Sequence, residues 1–189
     1  VQPRTEPQSI ATPAQPTNLI WNGDFSQGNV GFVSSVNYVS PDYNCLWHDG
    51  YTIAPVWNNP VLHRLITPGE YSAPEKQTGN EQVLYMNIDG TESKLIWAAE
   101  VACDPQTNYD LSFWTICLSG EPYVLEYQFV VNGEKGPVQS GGFGSFKKVT
   151  MRWNSGSSSM AKVAIMRMPR THYYGGVSAF FYNTMVLGD

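Results

Sequence analysis

Residues 108–131 read NYDLSFWTICLSGEPYVLEYQFVV, and their period decides the fold. Tyr109, Leu111 and Phe113 fall on one side of an extended chain, with Asp110, Ser112 and Trp114 on the other. After the break Ser119-Gly120-Glu121-Pro122 the period of two resumes. Tyr123, Leu125, Tyr127, Phe129 and Val131 then alternate with Val124, Glu126, Gln128 and Val130. Successive side chains of a strand point to opposite faces, so each run predicts a strand with one apolar and one mixed face. The second run stops at Asn132-Gly133, a pair suited to the positive φ angles of a tight hairpin.

The same punctuation extends outward. Strands are expected over 83–88, 95–103, 146–153, 160–168 and 178–187. Asp89-Gly90, Asp104-Pro105 and Asn154-Ser155-Gly156 mark turns between them. Upstream, 18–21 reads as a short first strand, and parts of 28–80 are strand, namely 32–39 and 50–54. Strands at this spacing, with no helical period in any window, predict an all-β fold: a two-sheet antiparallel β-sandwich. The first 17 residues hold four prolines and no aromatic residue. They are expected to form a linker or tail, leaving 18–189 as one sandwich domain.

Composition agrees. The 189 residues are 42% hydrophobic, 13% aromatic and only 14% charged, with 17 Gly and 13 Pro. A net charge of −5 argues against general nucleic-acid binding, which favours basic surfaces. No stretch approaches the ~18 apolar residues of a membrane-spanning helix, so direct membrane insertion is not expected. Residues 1–134 carry 4 basic and 15 acidic side chains, and 135–189 carry 7 basic ones against Asp189 alone. Either the strands interleave and the signs mix, or one face is basic. Cys45, Cys103 and Cys117 show no metal-binding spacing, and their odd number leaves their pairing open.

The mixed faces of the strands offer Tyr85, Asn87, Ser112, Trp114, Glu126, Gln128, Thr150 and Arg152. Flat rings beside planar hydrogen-bonding groups suit saccharides, whose C–H faces lie on aromatics while their hydroxyls pair with amides, carboxylates and guanidinium groups. A second candidate surface is the long loop region, with Tyr43, Trp47, Tyr51, Trp57 and Tyr71 near His63 and Arg64. Large aromatics there either bind ligand or plug the end of a sandwich. Enzyme signatures are missing: there is no G-x-S-x-G, P-loop, dinucleotide turn or H-E-x-x-H. The best carboxylate pair for glycoside hydrolysis is Asp110 with Glu126, on strands expected to be neighbours.

The run Asn22-Gly23-Asp24-Phe25-Ser26-x-Gly28-Asn29-x-Gly31-Phe32-x-Ser34 resembles the opening of secreted bacterial modules with a galactose-binding-like jelly roll, similar to carbohydrate-binding modules of the family 4/9 kind. The likeness continues through Gly50-Tyr51-Thr52-Ile53, Thr78-Gly79, Leu84 to Gly90, and Ile96-Trp97. It runs on through Pro105 to Trp114, Phe129-Val130-Val131-Asn132-Gly133, and Trp153-Asn154-Ser155-Gly156. The resemblance implies a jelly roll, a secreted or cell-surface location and a non-catalytic glycan-binding role. It also implies a structural calcium near the first turn and the last strand, where Asp24, Ser26 and Asn183 stand here. Ser26 and Asn183-Thr184 occupy places where relatives carry acids, so the site has lost charge. The competing expectation is a structural or adhesive domain that binds a protein partner or itself.

Overall fold

The computed structural model describes residues 17–41, 50–55, 82–88, 92–117, 125–143, 146–169 and 176–188. Among them the regular structure is all strand: β1 Asn37–Tyr38, β2 Gly50–Pro55, β3 Gln82–Ile88, β4 Lys94–Ala102, β5 Asn108–Cys117 and β6 Glu126–Val131. They continue as β7 Glu134–Lys135, β8 Gln139–Ser140, β9 Gly142–Phe143, β10 Lys147–Asn154, β11 Met160–Arg167 and β12 Gly176–Leu187. Two sheets result. One runs β1-β2-β3-β12-β5-β10, with β9 beside β5; the other runs β4-β11-β6-β7, with β8 beside β6. The long pairings are antiparallel, while the short β1–β2 and β5–β9 contacts are parallel.

Alternation builds the interior. Leu84, Leu111, Phe113, Val149 and Trp153 of the larger sheet face Trp97, Phe129, Val131, Val163 and Ile165 of the smaller one. Ring contacts join the layers: Phe113 meets Phe129 at 5.2 Å and Tyr127 at 5.7 Å, both edge-on. Edge-to-face geometry is the favoured arrangement for such rings. Arg167, wholly buried on β11, donates from Nη1 to the Ile88 carbonyl at 3.2 Å and so ties the sheets together at one end.

The predicted punctuation has physical counterparts. Val131 pairs with Glu134 around Asn132 (φ 49°) and Gly133 (φ 85°). Two positive φ values in a two-residue loop match the right-handed twist of the flanking strands. At the open edge of β10, the Gln139 amide stands in for a neighbouring strand. Its Nε2 donates to the Thr150 carbonyl at 2.6 Å, and its Oε1 accepts from the Thr150 N–H at 3.3 Å. That pairing covers an edge otherwise available to another chain.

Two upstream expectations change. Residues 18–21 form no strand: Leu19 makes one backbone bond to Met185, and the chain turns at once over 21–24. Of 32–39, only Asn37–Tyr38 is strand, while Val33 bridges Ala98 at the margin of β4. The described basic side chains of the last third are spread over both sheets. Arg152 meets Asp110 and Lys162 meets Glu100, so the signs mix.

Candidate functional site

The outward face of the larger sheet divides into a closed and an open part. In the closed part Thr52 pairs with Tyr85, Tyr85 with Ala179, and Ala179 with Ile116. Thr52, Ala54, Val83, Tyr85 and Ile116 point away from the inter-sheet core, yet all are buried. Tyr85, expected on an accessible face, is 0% exposed and available to no ligand at the surface. Its apolar companions Val83, Ala54 and Ile116 are the reason: a face with such residues is an inside face. Asn87, next along β3 on this face, is half-buried.

The open part starts at Trp114. Three cross-strand rows follow: Phe181–Trp114–Lys148, Thr184–Ser112–Thr150 and Val186–Asp110–Arg152. Trp114 is half-buried, with the Lys148 Nζ 5.7 Å from its ring centroid. The Ser112 and Thr184 hydroxyls are 2.8 Å apart. Arg152 donates to both carboxylate oxygens of Asp110, from Nε at 2.8 Å and from the second guanidinium nitrogen at 2.9 Å. The Arg152 hydrogen bond holds the Asp110 carboxyl below its usual value of 3.8, against the opposing effect of partial burial. Trp114 and Arg152 therefore share one surface, as the alternation predicts.

This ion pair carries a pH signature. Because the folded value of Asp110 is depressed, the pair stabilises fully above about pH 3.8 and its contribution fades as pH falls through the folded value. Both partners are about half exposed, so the worth is at most ~1 kcal/mol. D110N should therefore cost a few tenths to ~1 kcal/mol in urea melts at pH 7, and the gap to the wild type should narrow as pH falls below about 3.8 through the folded value. A gap that stays constant with pH would show that the carboxylate charge contributes nothing.

Glu126 and Gln128 lie elsewhere. Strand β6 pairs with β11 and not with β5, which puts both on the outward face of the smaller sheet, across the sandwich from Trp114. Gln128 spends its amide on the β6–β7 hairpin, donating to the Gly136 carbonyl at 2.8 Å. Asp110 and Glu126 consequently do not flank one cleft, which removes the carboxylate pair considered for glycoside hydrolysis. Cys103 carries a free thiol whose pKa is raised by burial and by the Asp104 charge, the reverse of an activated nucleophile. Trp47, Trp57, Tyr43, Tyr71, His63, Arg64 and Cys45 lie outside the described residues.

At the first turn the described donors do not assemble a calcium set. Asp24 and Ser26 are exposed, and Asp24 Oδ1 already accepts from the Ser26 N–H at 3.1 Å. The organising residue is Asn22. Its Nδ2 donates to the carbonyls of Gly28 at 3.0 Å and Val30 at 2.8 Å, while its Oδ1 accepts from the Gln27 N–H at 2.8 Å. Calcium takes 6–8 oxygens, and two of the carbonyls at this turn accept from the Asn22 amide. Asn183 falls in β12, and its side chain lies outside the described residues.

Sequence reading passed over Trp21. It is 65% exposed, although it stood in a run read as a strand. Its six-membered ring packs edge-on against Gly31, where a Cβ would overlap the ring.

No protein-family profile matches the sequence, and no curated protein does. Solved structures do match. A family 61 carbohydrate-binding module in complex with β-1,4-galactotriose superposes with a TM-score of 0.57 at 14% identity, covering 91% of this chain and 99% of its own. A family 22 xylan-binding domain from Paenibacillus barcinonensis gives 0.52 at 8% identity, over 87% and 97%. An arabinose-bound α-L-arabinofuranosidase gives 0.54 at 9% identity over 89% of this chain, but the match spans only 26% of that enzyme. At such low identity the likeness concerns the fold, and in fold this chain is a jelly-roll β-sandwich like that of carbohydrate-binding modules.

Proposed function

We propose that the chain is a non-catalytic glycan-binding module of a secreted or cell-surface bacterial protein. Its site is the open stretch of the larger sheet around Trp114. One observation carries the reading: a partly exposed indole stands beside a hydroxyl pair and a bidentate ion pair, at successive rows of a single sheet face. The ring offers an apolar plane to the C–H face of a sugar. Thr150, Thr184 (positioned by the buried Ser112 hydroxyl) and the Asp110–Arg152 pair supply donors and acceptors at fixed spacing along the strands. Lys148 lies over the ring on a flexible stem, and a sugar must displace it. At an exposed site that contact is worth only ~0.5–1 kcal/mol, and the freed ammonium can then bond a hydroxyl.

Xylan, for which one similar module is named, and β-1,4-galactan, the polymer with the linkage of the galactotriose held by another, are the first ligands to try. Affinity electrophoresis of the full chain through gels containing each polymer tests the proposal. Retardation on at least one, without release of reducing sugar, is the expected result. Free migration on every polymer would discard the glycan reading in favour of a protein-partner role.

The first turn requires no cation under this proposal, because Asn22 performs the gathering. Thermal melts in calcium and in excess chelator are expected to coincide. N22A is expected to lower stability by about 1–3 kcal/mol, since it leaves several backbone groups of a tight turn without partners. A chelator-dependent fall in melting temperature would restore a calcium site involving Asp24, Ser26 or Asn183.

A further inference from the structure

Charge is shared unevenly between the two sheets. In a chain of net charge −5, the strands of the larger sheet hold a single acid, Asp110, against three bases, Lys147, Lys148 and Arg152. Arg152 is matched, because both Asp110 carboxylate oxygens accept from its guanidinium group. Lys147 and Lys148 are not. Both are exposed at the start of β10, and among the described residues neither makes an ion pair. The other described acids lie on strands of the smaller sheet or outside the strands. What Lys148 does meet is the Trp114 ring, its Nζ 5.7 Å from the centroid. The aromatic end of the open face therefore carries uncompensated positive charge.

We propose that the site around Trp114 selects an acidic glycan, in which the sugar stacked on the indole is a hexuronic acid with its carboxylate against the Lys148 ammonium. The inference rests on the glycan-binding reading above and deepens it. The carboxylate of a uronic acid is a substituent at the rim of the pyranose ring. A sugar laid on the indole displaces the ammonium sideways, and the flexible lysine stem lets it follow to that rim. A neutral sugar offers a hydroxyl there. A carboxylate offers a charge-assisted hydrogen bond, roughly twice as strong. Both kinds of sugar disrupt the contact between cation and ring, but only the acidic one replaces it with an ion pair. The choice of anion follows from the same face. Sulfate and phosphate groups suit the planar fork of an arginine, and the Arg152 fork is already held by both oxygens of Asp110. The Lys148 ammonium is a point charge, which one carboxylate matches. The negative charge of the whole chain opposes indiscriminate uptake of polyanions, so a preference for acid must arise locally.

The test titrates the full chain, by tryptophan fluorescence, with polygalacturonate and with glucuronoxylan. Each is set beside the same polymer after its carboxyl groups have been reduced to alcohols, which removes the charge and keeps the linkage. At least one acidic polymer is expected to bind about fivefold tighter than its reduced form at low salt, and the difference should fade as salt is raised. K148M is expected to abolish that preference, to keep the affinity for the reduced form, and to melt like the wild type because the side chain is exposed. Equal affinity of the wild type for acidic and reduced forms overturns the acidic assignment and leaves the glycan module standing. A preference that K148M retains, or a K148M loss equal on both forms, does the same. Dextran sulfate bound as tightly as the acidic polymers would replace the carboxylate by anions in general, and so overturn the uronic acid. Failure to bind any of these polymers, with retardation on neutral galactan or xylan, also overturns the acidic assignment alone. Failure on the neutral polymers as well discards the glycan reading itself.

Discussion

Replacing Phe25 with alanine is expected to lower the free energy of unfolding by about 3–5 kcal/mol, the usual cost of deleting a buried phenyl ring. For a domain of this size that is a drop of roughly 6–20 °C in melting temperature. The size follows from position. Phe25 is completely buried, and its ring meets Phe32 edge-on at 5.8 Å. Phe32 in turn stacks with Trp97 at 6.4 Å and leans on Tyr51 at 6.0 Å. The ring is therefore the plug through which the first turn is seated on the core. Its backbone works against this, because Phe25 sits at φ 58°, a left-handed conformation that costs an L-residue about 1–2 kcal/mol. Burying the ring offsets the strain. F25G provides the control, since glycine loses the ring but tolerates the angle, and it should be the less damaged of the two by up to ~1 kcal/mol. A loss below about 1 kcal/mol for F25A in urea melts would mean that the turn is held from elsewhere.

The strands were legible in the sequence because each carries its own evidence. Alternation in 108–117 and 123–131 gave both elements and their inward faces, the second being strand over Glu126–Val131 among the described residues, and Asn132-Gly133 gave the hairpin between β6 and β7. Partners are a different matter. Nothing local states that β6 crosses to the other sheet and joins β11, so Glu126 and Gln128 were grouped with Trp114, although they lie across the sandwich. Tyr85 is instructive in another way. The period of two assigned it correctly to the second face of its strand but could not show that this face is covered there. The apolar character of Val83, Ala54 and Ile116 on that face was the available signal. Trp21 was lost for another reason. The run 18–21 reads as a strand, whereas the chain already turns at that residue, with Asn22 and Phe25 both at positive φ. No propensity forecasts a phenylalanine there, because tertiary packing rather than local preference holds it.

Trp114 carries the other large effect. W114A is expected to weaken glycan binding by about 2 kcal/mol or more at the sheet-face site, roughly thirtyfold in dissociation constant, as for other aromatic anchors at the centre of a contact. The fold should tolerate it, because the ring is only half-buried and lies on the outward face, outside the inter-sheet core. The binding loss must therefore exceed the stability loss if the ring serves a ligand. Two comparisons separate stacking from general disturbance of the face. K148M removes the cation above the ring while keeping an apolar stem, so binding of a neutral glycan should persist. Y85F alters a residue that reaches no solvent and should leave affinity unchanged. Titration followed by tryptophan fluorescence, with melting curves for each variant, distinguishes the cases. Wild-type affinity in W114A would remove this face as the site. Equal losses in W114A and Y85F would point to the integrity of the sheet instead. Loss in W114A alone would mean that the ligand rests on the Trp114 indole, half-open on the outward face of the larger sheet.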